Sequence, residues 1–178
     1  MDYQYLTYMN RIDKTDLNHL MTEYGPDVWK YAYAITRNRE QASDVAQEVF
    51  IKVYNHIGSY RGQSSLKTWL LSITRNEAIN VRRSSYVRRI MLFEKVKPHA
   101  TGASAEVAFL GEQSARDIWA IVMSLSTKLR EVLVLDLEHD LKMSEMARLL
   151  NVSEGTVKSR LSRARKMVEK KWRENERE

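Results

Sequence analysis

Cysteine is absent from the 178 residues, which excludes disulfides, thiol nucleophiles and thiolate metal sites. The absence fits a reducing cytoplasm. Proline and glycine are scarce, at 2 and 6 residues, so the chain has few helix breakers. Strict apolar–polar alternation of the kind that marks half-buried strands is nowhere sustained. Apolar runs stay short, and Val132-Leu133-Val134-Leu135 is among the longest, so no segment is expected to span a bilayer and direct membrane insertion is not expected. Residues 1–14 lack the apolar centre of a signal peptide. The four histidines, His19, His56, His99 and His139, are scattered without paired spacing, and no metal site is expected. No glycine-rich phosphate loop, catalytic triad or carboxylate cluster appears either. The chain is therefore expected to need no cofactor and to catalyse nothing by itself.

What the chain does have is apolar content, positive charge and helix formers. Hydrophobic residues make up 43%, enough to bury a core. The formal net charge is +6 and the isoelectric point about 9.5, which favours an anionic partner such as nucleic acid or a membrane surface. Abundant Leu, Met, Ala, Lys, Arg and Glu favour helices, and the fold class read from this composition is all-α. One helical block covers residues 16–89, with breaks expected at Gly25-Pro26 and across 58–65. A second covers residues 112–172. Between them, 95–111 carries Pro98, Gly102, Gly111 and small residues and reads as a flexible linker, with room for a turn of helix at 105–110. The charged residues 173–178 are expected to fray. Tyr3, Tyr5 and Tyr8 near the N-terminus carry no assignable role.

The second block is the richer in motifs. A helix over 127–138 carries Leu129, Val132, Leu133 and Leu137, and a second begins at Ser144, a good N-cap, with Met146, Ala147, Leu149 and Leu150. Asn151-Val152-Ser153 then breaks the pattern before a third helix over 154–169. Two short helices and a tight turn suit a helix-turn-helix. Ala147 permits close approach, and Val152 plugs the core between the helices. Val157, Leu161, Ala164 and Val168 share one face of the third helix. Lys158, Ser159, Ser162, Arg163 and Lys166 share the other, which suits phosphates and base edges in a major groove.

These words, Met143 to Val152 followed by Gly155-Thr156-Val157-Lys158-Ser159-Arg160-Leu161-Ser162-Arg163-Ala164-Arg165, resemble the C-terminal domain of the sigma-70 family. By that resemblance Thr156, Lys158, Ser159, Arg160, Ser162, Arg163 and Lys166 would bind the minus-35 element.

The first block supplies a second match. Val45, Val49 and Val53, with Ala46, Phe50 and Tyr54 beside them, form a broad core stripe, while Asp44, Gln47, Glu48 and Ile51 lie on the opposite side. Asp44-Val45-Ala46-Gln47-Glu48-Val49-Phe50 resembles the sigma segment that docks on the polymerase β′ subunit, which implies polymerase contacts at Asp44, Gln47, Glu48 and Ile51. The following loop, Gly58 to Ser65, is flexible in composition and offers Tyr60 as a stacking face and Arg61 as a charge. The helix after it, over 66–83, places Trp69, Ile73, Asn76 and Asn80 on one flank, with Arg75, Arg82, Arg83, Arg88 and Arg89 adding charge towards and beyond its end. Thr68-Trp69-Leu70 with Ile73 and Asn76 resembles the sigma element that melts promoters. The resemblance implies that Tyr60, Arg61, Gln63, Trp69, Asn76, Asn80 and Arg83 bind the minus-10 strand.

The likeness covers about residues 17–169 and matches the reduced layout of the extracytoplasmic-function group. It implies a region 2 helical bundle at 1–94, a linker at 95–111 and a region 4 helix-turn-helix domain at 112–178. The implied partners are core RNA polymerase, through its β′ and β subunits, promoter DNA and an anti-sigma factor, often a membrane protein in this group. The implied site of action is the cytoplasm. Three positions depart from the usual pattern: Ser126-Thr127 where a proline is common, Met146 for isoleucine, and Asn80 where many members carry aspartate. The last removes a negative charge beside the DNA. The reading set against this one is a two-domain regulator of duplex operators that needs no polymerase. A recombinase or nuclease would require a nucleophile or metal-binding carboxylates that the chain does not supply.

Overall fold

The computed structural model describes residues 4–9, 11–91 and 113–175, and among these it contains seven α-helices and no strand. The N-terminal domain comprises α1 (Lys14–Thr36), α2 (Arg39–His56) and α3 (Leu66–Met91), with 3-10 turns η1 (Gln4–Tyr8) and η2 (Ile57–Ser59). The C-terminal domain comprises α4 (Gln113–Ser124), α5 (Thr127–Leu137), α6 (Met143–Leu150) and α7 (Glu154–Asn175). The expected linker at 95–111, including the turn at 105–110, lies outside the described residues.

Helix starts follow local chemistry. Asp13 accepts the Asp16 N–H at 2.8 Å to cap α1, and Asn38 accepts the Gln41 N–H at 2.9 Å to cap α2. The break expected at Gly25-Pro26 does not occur, for α1 runs straight through both. Pro26 deprives the helix of one N–H donor. Burial of Val28, Tyr31, Ala32, Ala34 and Ile35 against α2, α3 and the C-terminal domain outweighs that local loss. Two other expected ends also move. The third helix continues past residue 83 to Met91, and α7 remains helical through Asn175 instead of fraying from 173.

The N-terminal core joins those α1 residues to Ala42, Val45, Val49, Phe50 and Val53 of α2 and to Leu66, Leu70, Leu71 and Ala78 of α3. Each Val, Leu, Ile or Phe side chain among them contributes about 1.5–3 kcal/mol when taken fully out of water, before chain entropy is counted. Tyr54, expected in the core stripe, is instead 45% exposed, because its helical phase is about 100–140° from Val53 and Val49, at the edge of the buried face.

In the C-terminal domain, residues 130–135 of α5 are all buried. A helix buried on every side must be surrounded, and α5 is packed against α1, α4 and α7. That explains the uninterrupted Val132-Leu133-Val134-Leu135 run. Leu137, which shares helical spacing with Leu129 and Leu133, is 64% exposed at the last residue of the helix.

The contact of α5 with α1 also brings the domains together. Arg130 is 1% exposed. Its Nε donates to the Ala34 carbonyl, and its Nη1 donates to the carbonyls of Met123 at 3.0 Å and Leu125 at 2.7 Å. Ala34 and Met123 lie in the last turns of α1 and α4, where carbonyls lack intrahelical donors and the helix dipole favours a cation. Burial, with Arg37 and Arg82 nearby, lowers the Arg130 pKa to about 10, which still leaves it charged at neutral pH. Beside it Arg75 Nε donates to Glu131 at 2.9 Å, and Lys30 pairs with Glu138 at 2.9 Å. Asp27 lies 3.0 Å from Lys67 and 3.5 Å from the buried His139, whose ring meets Tyr31 edge-on. Burial pushes the Asp27 carboxyl up, but His139 and Lys67 outweigh it and hold it below the ordinary range.

Arg130→Ala strips three buried carbonyls of their donor and should lower unfolding free energy by about 3 kcal/mol in denaturant titration. Alkali should also unfold the protein. Burial first, then the charge of Glu131, raises the Tyr31 pKa well above 10.0. The unfolded chain gives up that proton more readily, so stability is full below pH 10 and falls as pH climbs past it. Tyr31→Phe should move the alkaline unfolding midpoint, followed by circular dichroism, to higher pH.

Candidate functional site

Three exposed surfaces carry the residues singled out in the sequence. The first is on α2. Asp44, Gln47, Glu48 and Ile51 are all exposed, opposite the buried Val45, Val49 and Val53. Ile51 is 45% exposed, an aliphatic side chain left in water beside carboxylates. Tyr54, three residues further along the same face, adds an exposed ring that the sequence reading missed; the i, i+3 phase from Ile51 was the available signal.

The second surface begins in the loop between η2 and α3. Tyr60 is 7% exposed, its hydroxyl donates to the Ser64 carbonyl at 3.0 Å, and its ring sits 5.3 Å from that of Trp69. Burial pushes its pKa up. Tyr60 is therefore not an open stacking face, as the composition of the loop had suggested. It closes the loop from beneath. Arg61 and Gln63 stand exposed on either side of Gly62, whose φ of 67° lies in the left-handed region. Ser65 then caps α3 by accepting the Thr68 N–H at 3.1 Å.

Along α3, Trp69 is half-buried, while Asn76, Asn80 and Arg83 are exposed. Their spacing of seven, four and three residues puts them on one stripe. Arg75 and Arg82 do not join it. Arg75 is engaged by Glu131, and Arg82 Nη1 donates to Thr127 Oγ1 at 2.6 Å. The side chains of Arg88 and Arg89 lie outside the described residues. The second surface also meets the C-terminal domain. Thr68 Oγ1 donates to Glu145 at 3.0 Å, and Arg148 Nη1 donates to the Gln63 carbonyl at 3.1 Å.

The third surface is α7. Helix α6 starts at Met143, one residue before the expected cap Ser144, because Glu145 reaches back to accept the Lys142 N–H at 3.1 Å. It ends at Asn151, whose φ of 53° is left-handed, and the Val152 N–H returns to the Ala147 carbonyl at 3.0 Å. Val152 packs half-buried against the core, as expected for a plug. Ser153 accepts the Thr156 N–H at 3.2 Å, and its hydroxyl lies 2.9 Å from that of Thr156. Thr156 thus belongs to the cap, and Arg160 is half-buried on the flank. Val157, Leu161 and Ala164 are buried against α6 and α5, which leaves Lys158, Ser159, Ser162, Arg163 and Lys166 in water. Arg163 lies along its own helix, its Nε donating to the Ser159 carbonyl at 3.2 Å. From Lys158 to Lys166 the face spans about 12 Å, the width of a major groove. A separate apolar groove between α4 and α5 is lined by Ile118, Trp119, Val122, Leu133 and Leu137, of which Ile118 and Leu137 are exposed.

Comparison with known proteins matches both halves of the chain. The family model described as Sigma-70 region 2 matches residues 20–88, and that described as Sigma-70, region 4 matches residues 115–168. The chain is 31% identical to the ECF RNA polymerase sigma-E factor of Haemophilus influenzae, over 89% of this chain and 88% of that one. It is 29% identical to the RNA polymerase sigma-H factor of Pseudomonas aeruginosa, over 95% and 92%. Its fold resembles that of the sigma factor RpoE solved with the anti-sigma factor NepR from Bartonella quintana, with a TM-score of 0.71, 23% identity and coverage of 87% and 95%.

Removal of the α7 cap by Ser153→Ala should cost about 1 kcal/mol of stability in thermal unfolding, and Ser153→Asp should retain most of it.

Proposed function

Because the chain belongs to the sigma-70 family, as an RNA polymerase sigma factor of the extracytoplasmic-function type, we propose that its three exposed surfaces divide promoter recognition between them. Asp44, Gln47, Glu48 and Ile51 of α2 dock on core polymerase, with Tyr54 extending the contact. Arg61 and Gln63 of the loop, with Trp69, Asn76, Asn80 and Arg83 of α3, hold the unpaired minus-10 strand. Tyr60 supports that loop from below. On α7, Lys158, Ser159, Ser162, Arg163 and Lys166 enter the duplex major groove at minus-35, with Thr156 and Arg160 at its margin. The domains are assigned to 1–94 and 112–178, joined by a linker at 95–111. The bond-making chemistry belongs to polymerase, and the protein works in the cytoplasm, where polymerase and DNA are found. An anti-sigma factor is a further partner, and the apolar groove between α4 and α5 suits one of its helices.

The observation that carries this reading is the α3 stripe. A regulator of duplex operators would account for α7 and leave Trp69, Asn76, Asn80 and Arg83 without a use. Amide edges and a half-buried indole beside a loop suit single-stranded bases, which are read by stacking and edge hydrogen bonds. Melting is then driven by binding energy that offsets unstacking.

Such a division requires the domains to part. The minus-10 and minus-35 elements lie about 25 base pairs, or roughly 85 Å, apart along the duplex at 3.4 Å per pair. Helix α6 here touches the very loop assigned to minus-10, through Arg148 and Gln63. Polymerase, by holding α2, would separate what this contact keeps together.

The test is transcription in vitro with core polymerase on a pool of bacterial promoter fragments. Specific transcripts should appear only when the protein is added, and their start sites should reveal the two elements. Asp44→Ala with Glu48→Ala should weaken binding to core at least tenfold, leaving helical content and thermal unfolding unchanged. Sequence-specific duplex binding with no stimulation of transcription would move the assignment to the operator regulator.

A further inference from the structure

The N-terminal turn η1 lies ahead of the matched region 2, which starts at residue 20. It is nonetheless built into the domain. Leu6 is 0% exposed and shares the core with Ile12, Ile57 and Tyr60. The Met9 N–H donates to the Leu6 carbonyl at 3.2 Å and closes the turn. The element that η1 packs against is η2, the start of the loop assigned to minus-10. Its reach extends to the tip of that loop. A Cβ placed on Gly62 would stand 3.0 Å from Thr7 Cγ2.

Gly62 is the residue that turns the loop, with a φ of 67° that other side chains rarely adopt. Arg61 and Gln63 flank it and are exposed. The loop is thus held from two sides. Tyr60 and Trp69 support it from the domain interior, and Thr7 stands against its turn from outside. Ordering a loop residue costs backbone entropy. A loop held in shape before it meets its ligand avoids that cost on binding.

We propose that η1 is a positioning element for the minus-10 loop: Leu6 anchors it, and Thr7, seated against Gly62, fixes the turn that presents Arg61 and Gln63 to an unpaired base. The proposal rests on the reading of that loop given above. It assigns to the segment before the family-matched region a part in base selection, with no DNA contact of its own.

The experiment uses the full chain bound to core polymerase and a fluorescent single-stranded oligonucleotide carrying the minus-10 sequence found by transcription. A set of oligonucleotides altered at one base each reports preference position by position. Leu6→Ala should weaken capture of the best oligonucleotide about tenfold, and Thr7→Ser, which removes only the methyl against Gly62, about threefold. In both, preference should flatten at the base position held by the loop and persist at positions read by α3. Affinity for core and for minus-35 duplex should stay within about twofold, and Leu6→Met should restore wild-type preference. If Leu6→Ala does not fold, Thr7→Ser decides the matter, since its side chain is only half-buried. Variants that lose stability, or lose capture uniformly, with wild-type preference at every position would make η1 a piece of core and overturn the proposal. A wild-type complex without preference at any minus-10 base would overturn the assignment of the loop as well.

Discussion

A guanidinium almost without access to water ties the fold together. Arg130 cannot be buried alone, since an unpaired interior charge costs several kcal/mol. It is satisfied by carbonyls at the ends of α1 and α4, groups that the helices themselves leave without donors. One side chain thereby completes two helix termini in different domains. The position of α5 follows from it, and α5 is the surface on which α7 packs. The presentation of the α7 cationic face and the closeness of α6 to the α3 loop are consequences of the same buried ion.

Helical patterning made the elements and the two amphipathic faces legible. Val45, Val49 and Val53 announced the buried side of α2, and Val157, Leu161 and Ala164 that of α7. Asp44, Gln47, Glu48, Ile51 and the α7 cations are exposed where periodicity put them. Periodicity was blind to what a side chain does locally. Tyr60 read as an open ring because loop composition says nothing about a hydroxyl returning to Ser64. The bonds that tie Thr156 to Ser153 in the cap were invisible for the same reason. Pro26 read as a break because its cost is local and visible, whereas the burial that offsets it comes from other helices.

The domain contact was hidden for a different reason. Its members come from distant parts of the chain, such as Lys30 with Glu138 and Arg75 with Glu131. Charged residues in a helical sequence are most often solvated, and no spacing rule links them across an intervening helix. The uninterrupted run 132–135 was the one outward sign. A helix apolar on several faces must be enclosed, and the sequence could not say by what.

The charges at the rim of this seam behave unlike the apolar side chains at its centre. When apolar faces part, water gains nothing and the opened protein becomes adhesive. When Lys30 and Glu138 part, each at roughly a quarter to a third exposed already, water hydrates both ends and takes over much of the lost attraction. Dissolved ions do the same within a Debye length of about 8 Å at physiological salt. The exposed pairs at the rim of the seam thus weaken as ionic strength rises, while Arg130 and the apolar run of α5 stay dry at its centre.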